Sequence, residues 1–302
     1  MRAGLDRGCF ESAVLQVTLR GQPLFRGTYG NAGVETVFDL ASLTKPLATT
    51  TTMMRLIARD QVGLDTRLGD LWPATRGAPL GAQPLRRLLT HSAGWPASNQ
   101  LARRVSRLLP AAAKKRMRRR IARRSPVYQP GTRALYSDLN FLLLGWALEQ
   151  AGDAPLDRLA HALVFEPLGL CRTGYISTER GPPPRWPIAA SEAQADGRHL
   201  RGEVHDLKAR RLGGVAGHAG LFSTAPEIQR IADALIDAYQ GRPSVFSPPV
   251  VRRFFDARPL GHTPLALGWA RPGFFEGSET AGLLDPETTV GHHGFTGTSL
   301  WI

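Results

Sequence analysis

The chain has 302 residues, of which 42% are hydrophobic and 21% charged, an ordinary globular composition with enough apolar material for a sizeable core. It has no run of about 18 apolar residues, so no transmembrane helix is predicted, and its N-terminus lacks the apolar segment of a signal peptide. We therefore expect a cytoplasmic protein, or an exported one if the true start lies upstream. Cys9 and Cys171 give neither a disulfide framework nor metal-ligand spacing.

The formal net charge is +13, and residues 103–124 carry 11 basic and no acidic side chains, which leaves +2 for the rest. Such a run can bind nucleic acid or an anionic membrane surface. No aromatic interleaving or nucleic-acid motif accompanies it. We therefore interpret the segment as an arginine-rich solvated helix, and nucleic acid is not the partner we expect.

The first elements are a hairpin and a helix. Two β-type runs, 14–19 and 23–29, flank the turn Arg20-Gly21-Gln22. A helix is predicted from Ser42 to about Asp60, with Asp39 just ahead of it as a cap.

The later part of the chain predicts further helices and a closing strand. Residues 62–130 are expected to form short helices and loops. Residues 138–150 are almost wholly apolar and end at Gly152, which predicts a buried helix with a glycine stop. An amphipathic helix should follow residues 223–226, and a strand should span 298–302.

Ser42-Leu43-Thr44-Lys45 is the first candidate for catalytic chemistry. Positions i and i+3 share a helix face, so the hydroxyl and the amine should point into the same space. The positive end of the helix dipole favours a developing alkoxide at Ser42. A lysine with a depressed pKa can take the serine proton. Alone, this spacing is more typical of a surface Ser and Lys, so it needs support from other motifs.

Two further motifs supply that support. In Tyr136-Ser137-Asp138, just before the buried helix, the tyrosine could relay protons between the serine and a leaving group. In Gly291-His292-His293-Gly294-Phe295-Thr296-Gly297, a backbone N–H could pair with that of Ser42 as an oxyanion hole. Adjacent histidines can also be half of a metal site, but no H-E-x-x-H or C-x-x-C accompanies them, so no metal is expected.

In this order the three motifs resemble the S-x-x-K, Tyr-x-Asn and Lys-Thr-Gly elements of β-lactamases and penicillin-binding proteins, and more closely the class C-like branch. Other segments are similar to the same family: residues 38–45 to its nucleophile segment, 88–96 to its LLTHTSGLP stretch, 128–138 to its PG…YSN stretch, and 213–224 to its glycine-rich segment.

The resemblance implies an α+β fold of the β-lactamase/transpeptidase type, an antiparallel sheet flanked by helices plus a mostly helical lobe. It implies one catalytic domain over 1–302, with the sheet lobe at about 1–75 and 225–302 and the helical lobe at about 76–224. The site would lie between the lobes.

The resemblance also implies the chemistry. Ser42 would attack an ester or amide carbonyl, and water would release the acyl group. Lys45 and Tyr136 would share the general-base and general-acid work, and the oxyanion would lie between the N–H groups of Ser42 and Phe295. No metal or organic cofactor is implied, and the substrate would be a small ester or amide or a peptidoglycan-like molecule. Lower-ranked positions around the substrate are Asp138, His292, His293 and Gly294, and His91, His205, Asp206 and His218 are expected to be structural or to line the cleft.

The chain departs from the family pattern at two residues. Asp138 stands where Asn is usual and could pair with Lys45. His292 stands where the family has a lysine that recognises a substrate carboxylate, and histidine is only partly charged near neutral pH. This favours an esterase or related acyl hydrolase over a β-lactamase.

The family continues beyond the third motif, whereas this chain stops at Trp301-Ile302. We expect a truncated domain of lowered stability, whose N-terminal hairpin lacks a sheet partner.

Two alternatives to an active hydrolase remain. One is a catalytically weak or inactive family member that binds a ligand or peptidoglycan fragment. The other is an electrostatic nucleic-acid binder acting through residues 103–124. Intact Ser42, Lys45 and Tyr136 favour the enzyme.

Overall fold

The computed structural model describes residues 1–97, 108–181, 184–192, 197, 199–261, 263–275 and 283–302. The strands are β1 (Ser12–Leu19), β2 (Gln22–Gly30), β3 (Phe38–Asp39), β4 (Gly174–Tyr175), β5 (Leu221–Ser223), β6 (Gly291–His293) and β7 (Ser299–Trp301). The α-helices are α1 (Arg2–Asp6), α2 (Thr51–Ile57), α3 (Leu68–Leu71), α4 (Leu85–Leu89), α5 (Pro110–Ala122), α6 (Asp138–Ala151), α7 (Leu156–Ala160), α8 (Leu207–Arg211), α9 (Ala225–Tyr239) and α10 (Pro248–Phe255).

The N-terminal hairpin forms as predicted. β1 and β2 pair antiparallel from Ser12 opposite Gly30. Arg20 and Gly21 both have positive φ, the conformation whose twist matches a two-residue hairpin. Among the described residues, these two strands pair only with each other, and α9 packs against β1.

The strand that leads to Ser42 belongs to a three-stranded sheet of order β3-β5-β4, with both pairs antiparallel. This sheet joins segments far apart in sequence, and its strands come from both expected lobes. β6 pairs antiparallel with β7 in a further sheet, so the predicted last strand is present. Helices packed around antiparallel strands confirm the α+β class, whereas the boundary between two lobes stays a prediction.

The helix predicted from Ser42 to about Asp60 forms in three geometries. A 3-10 turn spans Ala41–Leu43, a π-helical segment spans Lys45–Thr50, and α2 follows. Pro46 has no N–H to donate to the carbonyl of Ser42, so a regular α-turn cannot close at this point. Single π turns are frequent at functional sites.

Helix α6 is the centre of the core. Its residues from Leu139 to Leu148 are all buried. A Cβ on Gly217 would lie 2.1 Å from the carbonyl oxygen of Phe141, so the glycine-rich loop packs directly on the α6 backbone. The helix ends as predicted, because α6 stops at Ala151 and Gly152 is its C-terminal cap. The left-handed conformation is taken by the next residue, Asp153.

Within the basic segment, residues Pro110–Ala122 form helix α5, as expected. Its inner face buries Ala113, Met117 and Ile121. Lys114 and Arg118 both pair with Glu149 of α6. Three arginines of the basic segment, Arg103, Arg104 and Arg107, lie outside the described residues. Nucleic-acid binding stays untested, and none of the described helices is long and apolar enough to cross a membrane.

Candidate active site

Ser42 lies on a strained turn directly after β3. The preceding residue, Ala41, has φ +44°, a left-handed conformation that is costly for a residue with a Cβ. Such strain persists only where the surroundings hold it, and it is typical of active sites.

Asp39 holds this turn in place. Its Oδ1 accepts the N–H of Ala41 at 2.8 Å, and its Oδ2 accepts the N–H of His205 at 2.7 Å. Its carbonyl accepts the hydroxyl of Thr296 at 2.6 Å, which fastens the third motif to the same turn. Burial raises the pKa of the Asp39 carboxyl. Sequence reasoning identified Asp39 only as a helix cap, because its contacts come from distant loops.

The Lys45 ammonium is fully buried among several oxygen acceptors, the Tyr136 side chain among them. Its Nζ lies 2.8 Å from Ser42 Oγ, 3.0 Å from Asp138 Oδ1 and 3.2 Å from the carbonyl oxygen of His218. Burial by itself lowers the pKa of Lys45, but the charge of Asp138 outweighs it and the pKa is raised. This is opposite to the depressed pKa expected from the sequence, and the expected Asp138 pairing is present.

Tyr136 lies beside the lysine. The centre of its ring is 4.9 Å from Lys45 Nζ. The His91 ring lies 4.5 Å away and the Phe275 ring 5.6 Å away, measured between ring centres. The predicted Ser42, Lys45 and Tyr136 are therefore brought together.

His91 positions the Tyr136-Ser137-Asp138 turn by a hydrogen bond to its backbone. Its Nδ1 accepts the N–H of Ser137 at 3.2 Å and lies 3.4 Å from the side-chain nitrogen of Asn140. Burial, together with the charge of Lys45, lowers the pKa of His91 to about 3, so the ring is neutral. These contacts support the structural role expected for this residue.

A chain of alternating charges continues outward from Lys45. The other oxygen of Asp138 lies 2.8 Å from Lys208 Nζ, and the same ammonium lies 3.2 Å from Asp206 Oδ2. Asp206 Oδ1 lies 2.9 Å from His218 Nε2. Despite burial, Lys45, His218 and Lys208 hold the pKa of Asp138 well below its usual range. Sequence reasoning missed Lys208, although its place two residues after Asp206 was a signal.

Asp138, Asp206 and His218 each offer a ligand atom, and these atoms lie within 4.8 Å of one another. The Lys208 ammonium already bonds to both carboxylates, so a positive charge occupies this donor set. The expectation of no metal stays a prediction.

His292 of β6 is buried and neutral. Burial first, and then the charge of Lys45, holds its pKa well below the usual range. Its Nδ1 donates to the carbonyl of His293 at 2.7 Å, so its Nε2 carries a lone pair. The His293 ring packs 5.1 Å from that of Trp301.

Gly294 lets the third motif approach the nucleophile turn. A Cβ there would lie 2.2 Å from Thr298 Oγ1 and 2.5 Å from the carbonyl oxygen of Leu40. Phe295, which follows, is 83% exposed and its ring stacks 5.1 Å from that of His205. The backbone N–H groups of Ser42 and Phe295, which are expected to form the oxyanion hole, thus lie on adjoining turns.

With this geometry established, comparison with known proteins gives the family. The whole chain, residues 1–302, matches the family model described as "Beta-lactamase". The chain belongs to the beta-lactamase family. An Escherichia coli K12 protein named "Putative D-alanyl-D-alanine carboxypeptidase" is 32% identical over 284 residues, covering 87% of this chain. A Salmonella agona protein of the same name is 32% identical over 289 residues, covering 88%.

Solved structures of other proteins share this fold. EstCE1, titled a hydrolase with promiscuous acyltransferase activity, aligns over 99% of this chain and 87% of its own, with a TM-score of 0.74 at 21% identity. The octameric penicillin-binding protein homologue from Pyrococcus abyssi aligns over 99% of this chain and 68% of its own, with a TM-score of 0.71 at 17% identity. The chain spans 65% of the length of the E. coli relative and 66% of the Salmonella agona one.

Proposed function

We propose that this chain is a serine hydrolase that cleaves an ester or amide through an acyl-enzyme on Ser42. The observation that carries the proposal is the 2.8 Å contact between Ser42 Oγ and the buried Nζ of Lys45. The family match and a hydrolase among the structural neighbours support it. The intact Ser42, Lys45 and Tyr136 do not favour the inactive ligand-binding alternative.

The raised pKa of Lys45 decides its part in the reaction. As an ammonium, it stabilises the oxygen of Ser42 while that oxygen loses its proton. Tyr136 relays this proton: its hydroxyl takes up the Ser42 proton while it gives its own proton to the leaving group, as the acyl bond to Ser42 forms. The N–H groups of Ser42 and Phe295 would bind the oxyanion. Water then attacks the acyl-enzyme, giving its proton back through Tyr136 to Ser42.

The electrostatics favour a neutral ester as the substrate. In the part of the chain that the structure describes, Lys45 and Lys208 at the site are both ion-paired, and His292 is neutral. A substrate carboxylate would have no unpaired cation there to bind. His292 Nε2 instead offers an acceptor to a donor group on the substrate. A peptidoglycan-like amide is the second candidate, and the names of the 32% identical relatives support it.

Intact-mass spectrometry after exposure to a fluorophosphonate probe tests the proposal. Wild type should gain one adduct, and Ser42→Ala should gain none. Exposed Ser125 provides the matched control, since Ser125→Ala should label like wild type. Short p-nitrophenyl esters should then be hydrolysed faster than nitrocefin. No adduct on a folded wild-type protein would contradict the proposal and favour the inactive alternative, and efficient nitrocefin hydrolysis would contradict the ester preference.

A further inference from the structure

The carboxylate of Asp138 is shared by two lysines. One oxygen lies 3.0 Å from Lys45 Nζ and the other 2.8 Å from Lys208 Nζ. Lys45 is fully buried, while the side chains of Lys208 and Asp138 are 19% and 22% exposed. The Lys208 contact is therefore made at the edge of the site, where water screens it more than the contact of the buried Lys45.

A carboxylate at this position opposes catalysis when it acts alone. The reaction requires a proton to leave Ser42 for Tyr136, beside Lys45, and a nearby negative charge makes that loss harder. A second cation on the same carboxylate offsets this effect. We propose that Lys208 is a positioning residue that offsets the charge of Asp138 and so preserves the action of Lys45 on Ser42. This inference rests on the proposed hydrolase function.

Of the other groups around the cluster, His218 also lowers the pKa of Asp138. Its Nε2 bonds to Asp206, however, whereas Lys208 contacts an oxygen of Asp138 directly. His91 and His292 are neutral, because burial and the charge of Lys45 lower the pKa of each. Asp206 is negative and is shared between Lys208 and His218. The ionisable groups that face Lys45 and Asp138 in the described chain are Tyr136, His91, His218, His292, Asp206 and Lys208.

The test measures the rate of fluorophosphonate labelling of Ser42, and of p-nitrophenyl acetate hydrolysis, between pH 5.5 and 9.5. Lys208→Met should shift the rising limb of the pH–rate profile to higher pH by about one unit or more, so activity at pH 7 should fall roughly tenfold. Asp138→Asn should shift the limb to lower pH. Asp138→Asn combined with Lys208→Met should return the limb toward wild type, because a neutral amide needs no counter-cation. Lys208→Arg should keep the wild-type profile.

The chain offers a matched control at the far end of α6. Lys114 shares Glu149 with Arg118 in the same lysine–carboxylate–cation arrangement, so Lys114→Met should leave the pH profile unchanged. An unchanged limb in Lys208→Met, or a double variant no better than Lys208→Met, would overturn the inference. If Lys208→Met does not fold, the inference is decided by the other two variants. It is overturned if Asp138→Asn does not move the limb to lower pH, or if the double variant does not return the limb toward wild type. If Ser42 of the wild-type protein is not labelled at all, the result would instead contradict the hydrolase function itself.

Discussion

The neutral ring of His91 makes the stability of the protein fall in acid. In the unfolded chain His91 has a pKa near 6.5, and burial lowers it to about 3 in the folded protein. Below pH 6.5 the unfolded chain therefore binds a proton that the folded protein does not bind. The free energy of unfolding then falls by about 1.4 kcal/mol per pH unit until pH 3. Between pH 7 and pH 4.5 the loss from this one residue is about 2.5 kcal/mol.

The geometry explains why folded His91 does not bind this proton. A proton on Nδ1 would face the N–H of Ser137 and the amide of Asn140, which both approach that atom. His91→Asn is the informative variant. Asn tolerates the φ of +53° at this position, and its Oδ1 can accept the same N–H without titrating.

Urea unfolding at pH 7 and pH 4.5 measures the effect in both proteins. The loss of unfolding free energy between the two pH values should be about 2.5 kcal/mol smaller in His91→Asn than in wild type. Other titrating groups, His292 among them, are present in both proteins and cancel in the difference. An equal pH dependence in the two would refute the assignment of His91 as a buried neutral acceptor.

Two further substitutions test the nucleophile turn and the close approach beneath it. Asp39→Ala leaves the N–H groups of Ala41 and His205 without their acceptor, so the free energy of unfolding should fall by roughly 2–6 kcal/mol in urea titrations; a loss below about 1 kcal/mol would show that water replaces the carboxylate. Gly217→Ala places a Cβ 2.1 Å from a backbone oxygen of α6, and should cost about 1–3 kcal/mol and slow Ser42 labelling, whereas Gly33→Ala, with its nearest atom at 4.0 Å, should do neither.

The sequence predicted the elements whose signals are local. The Arg20-Gly21 hairpin and the apolar α6 follow from turn chemistry and hydrophobic patterning within a few residues of each other. It also predicted that Ser42 and Lys45 share a face, because three-residue spacing brings them together in a 3-10 or α-turn alike. The end of α6 at Gly152 was predicted as well. The structure adds that this glycine leaves room for Leu159, which lies 2.6 Å from where a Cβ would be.

The electrostatics of the site could not be predicted from spacing. The pKa of Lys45 depends on Asp138, and the influence of Asp138 depends on Lys208, which approaches from 70 residues further along the chain. The role of Asp39 likewise depends on loops that contact it only in the folded protein. Pairing with Asp138 was foreseen, but its effect on the pKa of Lys45 required the geometry.

The position of α5 has a consequence for how the protein is assayed. Glu149, which anchors the basic helix, is eleven residues from Asp138 along α6, a rise of about 16 Å. The Debye length is about 8 Å at 0.15 M ionic strength and about 30 Å at 0.01 M. In dilute buffer the field of α5 therefore reaches Ser42, the proposed nucleophile, and concentrates anionic substrates near it, whereas at physiological ionic strength it is largely screened. Rankings of charged against neutral substrates will depend on the buffer unless the ionic strength is held constant.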